Sequence, residues 1–474
     1  MPIARRAGIG RRPFMLGAAL SASALSSCGT VPTAAAITKP TRFSDRPMVM
    51  AIGDSLYQGV RSLSFTAALA QHSPPAQVAR ALGATMAIPD PPRPILYDLE
   101  ALLQRGALVD IAVSLRQDCI DNSRAWLTPG AWSASEAFDN VAIGGAEISS
   151  LYTDTFASQW PTVQAMAARV AQNPLPDLAA IGQLWFALNT CFTLNPQRRD
   201  EQAQKTQVDQ VRDRRPRLLL VNIGSNEGLY RAAFLGAFDA TTLNSVAAIP
   251  DKMAPLADQL ASLPPEVEVI AFNSLIRPRT ASNLMPGPRA NRQGIYPGAG
   301  YFSSYGPWII SQEGTIPAAT IQNFDQLIAD VNARARVLLS GKLGSRLRFV
   351  DLYAASDALD GKHYRDRAMA VRAPNGANLE LRNIPLTRQG VGRYDFTGGL
   401  TGLDNMHPTV PGYAAFADAV LASVGSATRI DKNAAFAADT LLNDIPFFLP
   451  VAQLELRKLG QFGVFKGLSE SRPA

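Results

Sequence analysis

Five short runs of aliphatic and β-branched residues recur along the chain, at 48–52, 141–143, 218–223, 267–272 and 347–352. In these runs nearly every position is apolar, so the alternation of a half-exposed strand is missing. That pattern predicts strands buried on both faces, as in a parallel sheet. Between the runs lie amphipathic stretches at 76–82, 163–170, 253–263 and 324–339, which predict helices. Alternating strands and helices point to an open α/β/α sandwich. No internal repeat is visible.

One segment breaks the alternation. Residues 277–317 hold 12 glycines and prolines among 41 positions, with Tyr296, Tyr301, Phe302, Tyr305 and Trp308 interspersed. No regular element is expected at that density of Gly and Pro, and a loop of this length in a compact domain is usually functional. Its aromatics would line an apolar groove or form a lid, and we expect it across or beside the mouth of the active crevice; a packed surface excursion is the alternative. The fold class expected is therefore α/β, a three-layer α/β/α sandwich with a flavodoxin-like, mostly parallel five-stranded sheet and long insertions. The tail, 431–474, carries apolar stretches that suit docking on the body, with membrane contact as the alternative.

The front of the chain reads as an address. Residues 1–27 open with Arg5, Arg6, Arg11 and Arg12 and continue into a short apolar run at 14–25. A run of this length falls short of the ~20 residues that a bilayer core requires, so an export signal is expected. Arg11-Arg12-Pro13-Phe14-Met15-Leu16 resembles a twin-arginine motif, and Leu25-Ser26-Ser27-Cys28 resembles a lipobox. That resemblance makes Cys28 the lipidated first residue of the mature chain, tethered by residues 28–46, and an outer-membrane lipoprotein is expected, with Gly29 rather than Asp after the cysteine. A soluble periplasmic or secreted protein is the alternative.

Charge then narrows the partners. The 474 residues carry 45 basic and 39 acidic side chains, but removing residues 1–27 leaves 41 against 39. A near-neutral body lacks the excess positive charge that binds a polyanion, which excludes nucleic acid as a partner. Cys119 and Cys191 match no zinc spacing, and either a disulfide or two buried thiols suits them.

Candidate chemistry sits at the ends of the predicted strands, where open α/β sheets bind ligands. The first run ends in Gly53-Asp54-Ser55-Leu56, with Ser55 opening a helix. The second ends in Gly144-Gly145, and the third in Gly224-Ser225-Asn226-Glu227, where an amide N–H is available to a developing oxyanion. Near the C-terminus, Asp404 and His407 stand at i, i+3 in Leu403-Asp404-Asn405-Met406-His407-Pro408, a spacing that lets both share one face of a helical turn. The other histidines, His72 and His363, lie among polar or charged neighbours and read as solvated, leaving His407 as the general base.

Together these stations resemble the SGNH hydrolase family, often called GDSL esterases and lipases. The resemblance covers the body from Met48 to about Val424, with the motifs in the family's order. It implies Ser55 as nucleophile, Asp404 and His407 as orienting acid and base, and an oxyanion hole of Ser55 N–H, Gly145 N–H and the Asn226 side chain, with Gly144 a near alternative to Gly145. Glu227 stands where the family commonly has Asp. Residues 47–430 are then the hydrolase domain. The implied reaction is ester hydrolysis through an acyl-enzyme, without metal or organic cofactor. The substrate would be a small-molecule or lipid ester, lipid esters being preferred to sugar acetates because of the aromatics at 277–317. An inactive hydrolase body serving as a lipid-anchored binding protein is the alternative function. Oligomeric state is not legible.

Overall fold

The computed structural model describes residues 41–104, 111–172, 177–287, 295–443 and 457. Cys28, the export signal and most of the tail after Asn443 lie outside these residues.

Seven strands frame the site: β1 (Val49–Gly53), β2 (Leu218–Asn222), β3 (Val269–Asn273), β4 (Leu284–Pro286), β5 (Ser304–Pro307), β6 (Ile316–Pro317) and β7 (Leu347–Val350). The first three and β7 form a four-stranded parallel sheet in the order β1-β2-β3-β7. Every residue of β1 and β2 is buried. Successive side chains point to opposite faces, so both faces of these strands are covered. The helices Pro74–Ala81 and Val410–Ser423 pack against one another and against the sheet. Gln207–Arg214 lies on β1, and Ile249–Ala261 packs on Ala318–Leu343, which lies on β7. The fold is mixed α/β, as the alternating pattern predicts.

The sheet has four strands among the described residues, not five. The run at 141–143 lies parallel to β1 but makes only a bridge at Ala51 and Asn140. Ala51 N–H donates to Asp139 O at 2.9 Å, Val141 N–H to Ala51 O at 2.9 Å and Ile143 N–H to Gly53 O at 2.9 Å. Asn140 interrupts the ladder with its own side chain, whose Nδ2 donates to Tyr57 O at 2.8 Å while its Oδ1 accepts from Ala142 N–H at 3.2 Å. A short polar side chain competing for backbone partners is the reason the segment stays irregular.

The segment at 277–317 also departs from expectation. It contains β4, β5 and β6, an antiparallel sheet with Leu284 opposite Pro307 and Tyr305 opposite Ile316. Prolines end all three strands, at positions 286, 307 and 317, where the missing N–H costs least. Leu284, Phe302, Tyr305 and Ile316 form a small core with Ala233 and Ile321. The described parts of this segment are therefore ordered strands on a small core of their own.

Residues 431–443, the described start of the tail, pack on the body through the Val410–Ser423 helix. The helices Lys432–Ala437 and Thr440–Asn443 bury Phe436, Leu441 and Leu442 completely. No helix among the described residues is long and apolar enough to cross a membrane.

Candidate active site

The nucleophile candidate is positioned by a glycine that no other residue replaces. β1 ends at Gly53 with φ 144°, and a Cβ there would sit 2.0 Å from the Asn222 carbonyl oxygen of β2. The chain therefore turns tightly, Asp54 N-caps the Ser55–Gln58 helix through Leu56 N–H at 3.2 Å, and Ser55 stands at the first helical position. First-turn N–H groups have no intrahelical partner, so Ser55 N–H is available beside its own hydroxyl.

Beneath the serine runs a buried polar chain across three strand ends. Asn222 Nδ2 donates to Asp54 Oδ1 at 2.7 Å, Asn273 Nδ2 to Asn222 Oδ1 at 2.9 Å, and the Tyr57 hydroxyl to Asn273 Oδ1 at 3.0 Å. Burial pushes the Asp54 carboxyl up to about 6, against the lowering effect of Leu56 N–H, the Asn222 amide and nearby His407.

His407 and Asp404 come from the loop before the Val410–Ser423 helix. His407 Nε2 lies 2.9 Å from Ser55 Oγ, and its Nδ1 lies 2.6 Å from Asp404 Oδ2. The loop is not helical, contrary to the i, i+3 expectation. Asp404 Oδ1 instead accepts both Met406 N–H and His407 N–H at 3.0 Å, and Asn405 takes φ 57°. Such side-chain-to-backbone turns are characteristic of aspartate. Asp404 is fully buried. Burial alone would raise its carboxyl, yet His407 and the two N–H groups hold it below the usual aspartate value.

Gly145 and Asn226 stand on the same cleft as Ser55 and His407. Gly144 N–H is committed to Gln58 Oε1 at 2.8 Å, while Gly145, with φ 80°, has no hydrogen-bond partner for its N–H among the described residues. The two glycines are thereby distinguished. Asn226 follows β2 on a tight turn, Ser225–Leu229, and its Nδ2 donates one hydrogen to Ala146 O at 2.8 Å. The other amide hydrogen remains for a ligand. Glu227 is buried, accepting Ile148 N–H at 3.0 Å and pairing with Lys252.

The cleft has a volume of about 420 Å³. Its apolar lining comes from Leu63, Tyr97, Trp185, Phe186, Tyr230 and Phe234, with Arg231, Thr241, Thr242 and Ser245 as polar members. None of the described residues at 277–317 lines it. The aromatics expected from that segment come instead from two helices, Leu178–Leu194 and Tyr230–Leu235.

Residues 49–420 match the family model described as GDSL-like Lipase/Acylhydrolase. The chain belongs to that family. Comparison with curated proteins and with solved structures found no match. Membership in the GDSL-like lipase/acylhydrolase family assigns ester hydrolysis as the class of reaction.

Three further sequence readings meet the structure of this GDSL-like protein. His363 is not solvated. It is fully buried, with Nδ1 2.9 Å from Asp360 Oδ1 and Nε2 2.6 Å from the Tyr305 hydroxyl. His72 is partly buried, and burial, helped by Arg80 and Arg61, pushes its imidazole down to about 4. Charged neighbours in sequence gave no information on either environment. Cys119 and Cys191 are both buried and free, with burial pushing each thiol up. Of the site residues that sequence reasoning missed, Gln58 and Leu63 act through contacts that no motif spacing encodes. Trp185 and Phe186 sit in a helix so uniformly apolar that its cleft-facing positions carry no mark.

Proposed function

We propose that this GDSL-like acylhydrolase is a serine esterase in which Ser55, His407 and Asp404 form the catalytic triad. The single observation that carries this reading is the unbroken contact from Ser55 Oγ through His407 to buried Asp404, at 2.9 and 2.6 Å, opening on the cleft. Ser55 Oγ attacks the ester carbonyl carbon while His407 Nε2 takes its proton. The resulting oxyanion accepts from Ser55 N–H, Gly145 N–H and Asn226 Nδ2. The bond to the alcohol oxygen then breaks as His407 returns the proton to that oxygen, leaving acyl-Ser55. Water, losing a proton to His407, attacks the acyl carbon, and the acid departs as Ser55 regains its hydrogen. Asp404 stays ionised throughout and holds the imidazole orientation.

The preferred substrate is an acyl or lipid ester of modest size. A cleft of about 420 Å³ lies toward the small end of ligand sites, which run from about 300 to 1,000 Å³. Its aromatic lining favours an acyl chain. Arg231, Thr241, Thr242 and Ser245 favour a hydroxyl-bearing alcohol part, and an acetylated sugar is the second reading on that ground. Hydrolysis of p-nitrophenyl esters from acetyl to palmitoyl, set beside acetylated sugars, decides between them. A maximum at medium chain length supports the first reading, and activity confined to sugar acetates supports the second.

We also read residues 139–143 as the outer position of a flavodoxin-like five-position sheet, supported by their parallel hydrogen bonds to β1. Export and lipidation at Cys28 complete the proposal, supported by Leu25-Ser26-Ser27-Cys28. Cys28→Ser should release active protein from the membrane fraction of the host; a variant that still sediments with membranes would refute this anchor.

A further inference from the structure

The turn at 61–64 is shaped in a way the triad alone does not explain. Ser62 and Leu63 have φ of 51° and 57°, two consecutive non-glycine residues in the left-handed region. Such backbone persists only where its surroundings over-determine it. The surroundings here are charged and buried. Arg61 forks onto Glu100, Nε to Oε1 at 2.8 Å and Nη2 to Oε2 at 2.7 Å. The Ser62 hydroxyl donates to the same Glu100 Oε1 at 2.6 Å and accepts Leu403 N–H at 3.0 Å. So fixed, the turn delivers Leu63 N–H to Asp404 Oδ2 at 2.9 Å, the oxygen that meets His407 Nδ1. There is no slack between the two loops. A Cβ on Gly402 would lie 2.7 Å from Arg61 Cγ and 2.8 Å from Ser62 Oγ.

The remaining member comes from beyond the Val410–Ser423 helix. Asp439 is fully buried, and its Oδ2 accepts from two places at once: Arg61 Nη1 at 3.0 Å and Val410 N–H at 2.7 Å. Val410 opens the helix that starts three residues after His407. Thr440 Oγ1 takes a second Arg61 hydrogen at 3.2 Å, and Asp439 Oδ1 accepts Leu442 N–H at 2.9 Å, capping its own short helix. One carboxylate oxygen thus joins the segment that holds Asp404 from one side to the segment that carries His407 on the other. Asp439, Arg61 and Glu100 form a relay from the C-terminal segment to the Asp404–His407 pair.

We propose that Arg61 and Asp439 are positioning residues for the Asp404–His407 pair, so that the Asp439 carboxylate of the C-terminal segment sets the geometry of the active centre. The proposal rests on the triad reading above. A structural staple would affect stability alone, whereas a positioning relay alters turnover in folded protein. Misplacing catalytic groups by about 1 Å costs up to ~100-fold in rate.

The test compares three full-length variants with wild type. Asp439→Asn keeps the shape but removes the charge and one of the two acceptor oxygens that together receive Arg61, Val410 N–H and Leu442 N–H. Thr440→Val removes one weaker contact to Arg61, and Leu441→Ala hollows the same segment at a fully buried side chain that has no polar atom with which to bond the relay. Kinetics on p-nitrophenyl butyrate are read together with the downfield proton resonance of the His407 Nδ1–Asp404 hydrogen bond. Asp439→Asn is expected to lower kcat by about 10- to 100-fold with KM nearly unchanged and to move or broaden that resonance. Thr440→Val should give a smaller change in the same direction. Leu441→Ala should lower the melting temperature while leaving kcat and the resonance as in wild type. Wild-type kcat and resonance in folded Asp439→Asn overturns the proposal. If that variant does not fold, wild-type values in Thr440→Val overturn it instead. Equal kcat losses in Thr440→Val and Leu441→Ala, in proportion to their lost stability, would also overturn it. Should wild type hydrolyse no ester, the triad reading fails on its own; the resonance still reports whether the relay holds the pair.

Discussion

Asp54 and Asp404 are both fully buried aspartates within the same site, and their surroundings push them in opposite directions. The difference has a sign that stability measurements read. Asp54, raised from 3.8 to about 6, binds its proton more tightly in the folded chain than in the unfolded one. Its contribution to stability is therefore greatest below pH 4 and is lost as pH rises through about 6. Asp404, held low, contributes in the opposite sense, and its share is lost as pH falls through its folded value. Asp54→Asn removes the first component only. The melting temperature of the variant relative to wild type should shift in the variant's favour between pH 4 and 7, and a flat difference would show that Asp54 is ionised without penalty. Asn226 makes a kinetic prediction. In the proposed oxyanion role its second amide hydrogen meets charge that exists only in the transition state, so Asn226→Ala should lower kcat by about 10²–10³ with little change in KM. An effect confined to KM would make it a ground-state binding residue. Asp54 and Asn226 stand in short motifs at strand ends, and Asp404 in a short motif three residues before His407, which made them candidates in the sequence. Leu63, Gln58 and Asp439 were not, since each works through a contact across tens or hundreds of positions.

At the scale of elements, β1 and β2 were legible because full burial removes polar residues from both faces, and β3 and the partly exposed β7 because most of their positions are aliphatic or aromatic. The run at 141–143 is less regular than expected, joined to β1 by a bridge and three backbone hydrogen bonds, because the Asn140 side chain bonds to nearby backbone. The segment at 277–317 was misread for a different reason: glycine and proline content disfavours long strands but permits strands of two to four residues. Its structure also changes its role. Asn283 Nδ2 donates to Ala233 O at 3.2 Å and Phe234 O at 2.8 Å, meeting two carbonyls of the last turn of the Tyr230–Leu235 helix. The segment thus supports the helix carrying Tyr230 and Phe234 from behind, and the helix lines the cleft. Two substitutions separate wall from support. Phe234→Ala should lower kcat/KM for octanoyl esters far more than for acetyl esters, since each buried methylene is worth about 0.8 kcal/mol. Asn283→Ala should lower stability by about 1–3 kcal/mol, through loss of the buried hydrogen bonds that Asn283 gives to these two carbonyls, with equal effects on both chain lengths. A chain-length preference lost in Asn283→Ala but kept in Phe234→Ala would reverse the assignment.

For the molecule as a whole, a parallel sheet brings residues 55, 145, 226 and 404–407 to one edge although 352 positions separate Ser55 from His407. That convergence was foreseeable from motif order and the rule that such sheets bind ligands at their carboxyl ends. The burial of His363 was not, because the Tyr305 hydroxyl that meets its Nε2 comes from a segment 58 positions away, although Asp360 stands only three residues before it. The central claim is that Ser55 is the nucleophile activated by His407, and labelling with a fluorophosphonate followed by peptide mapping addresses it most directly. The reagent bonds phosphorus to an activated serine oxygen and releases fluoride. The account predicts a single adduct on Ser55, absent in Ser55→Ala and slowed by about 10⁴-fold or more in His407→Ala, with ester hydrolysis lost in parallel. Ester hydrolysis retained by Ser55→Ala, with the adduct on another serine, would contradict it.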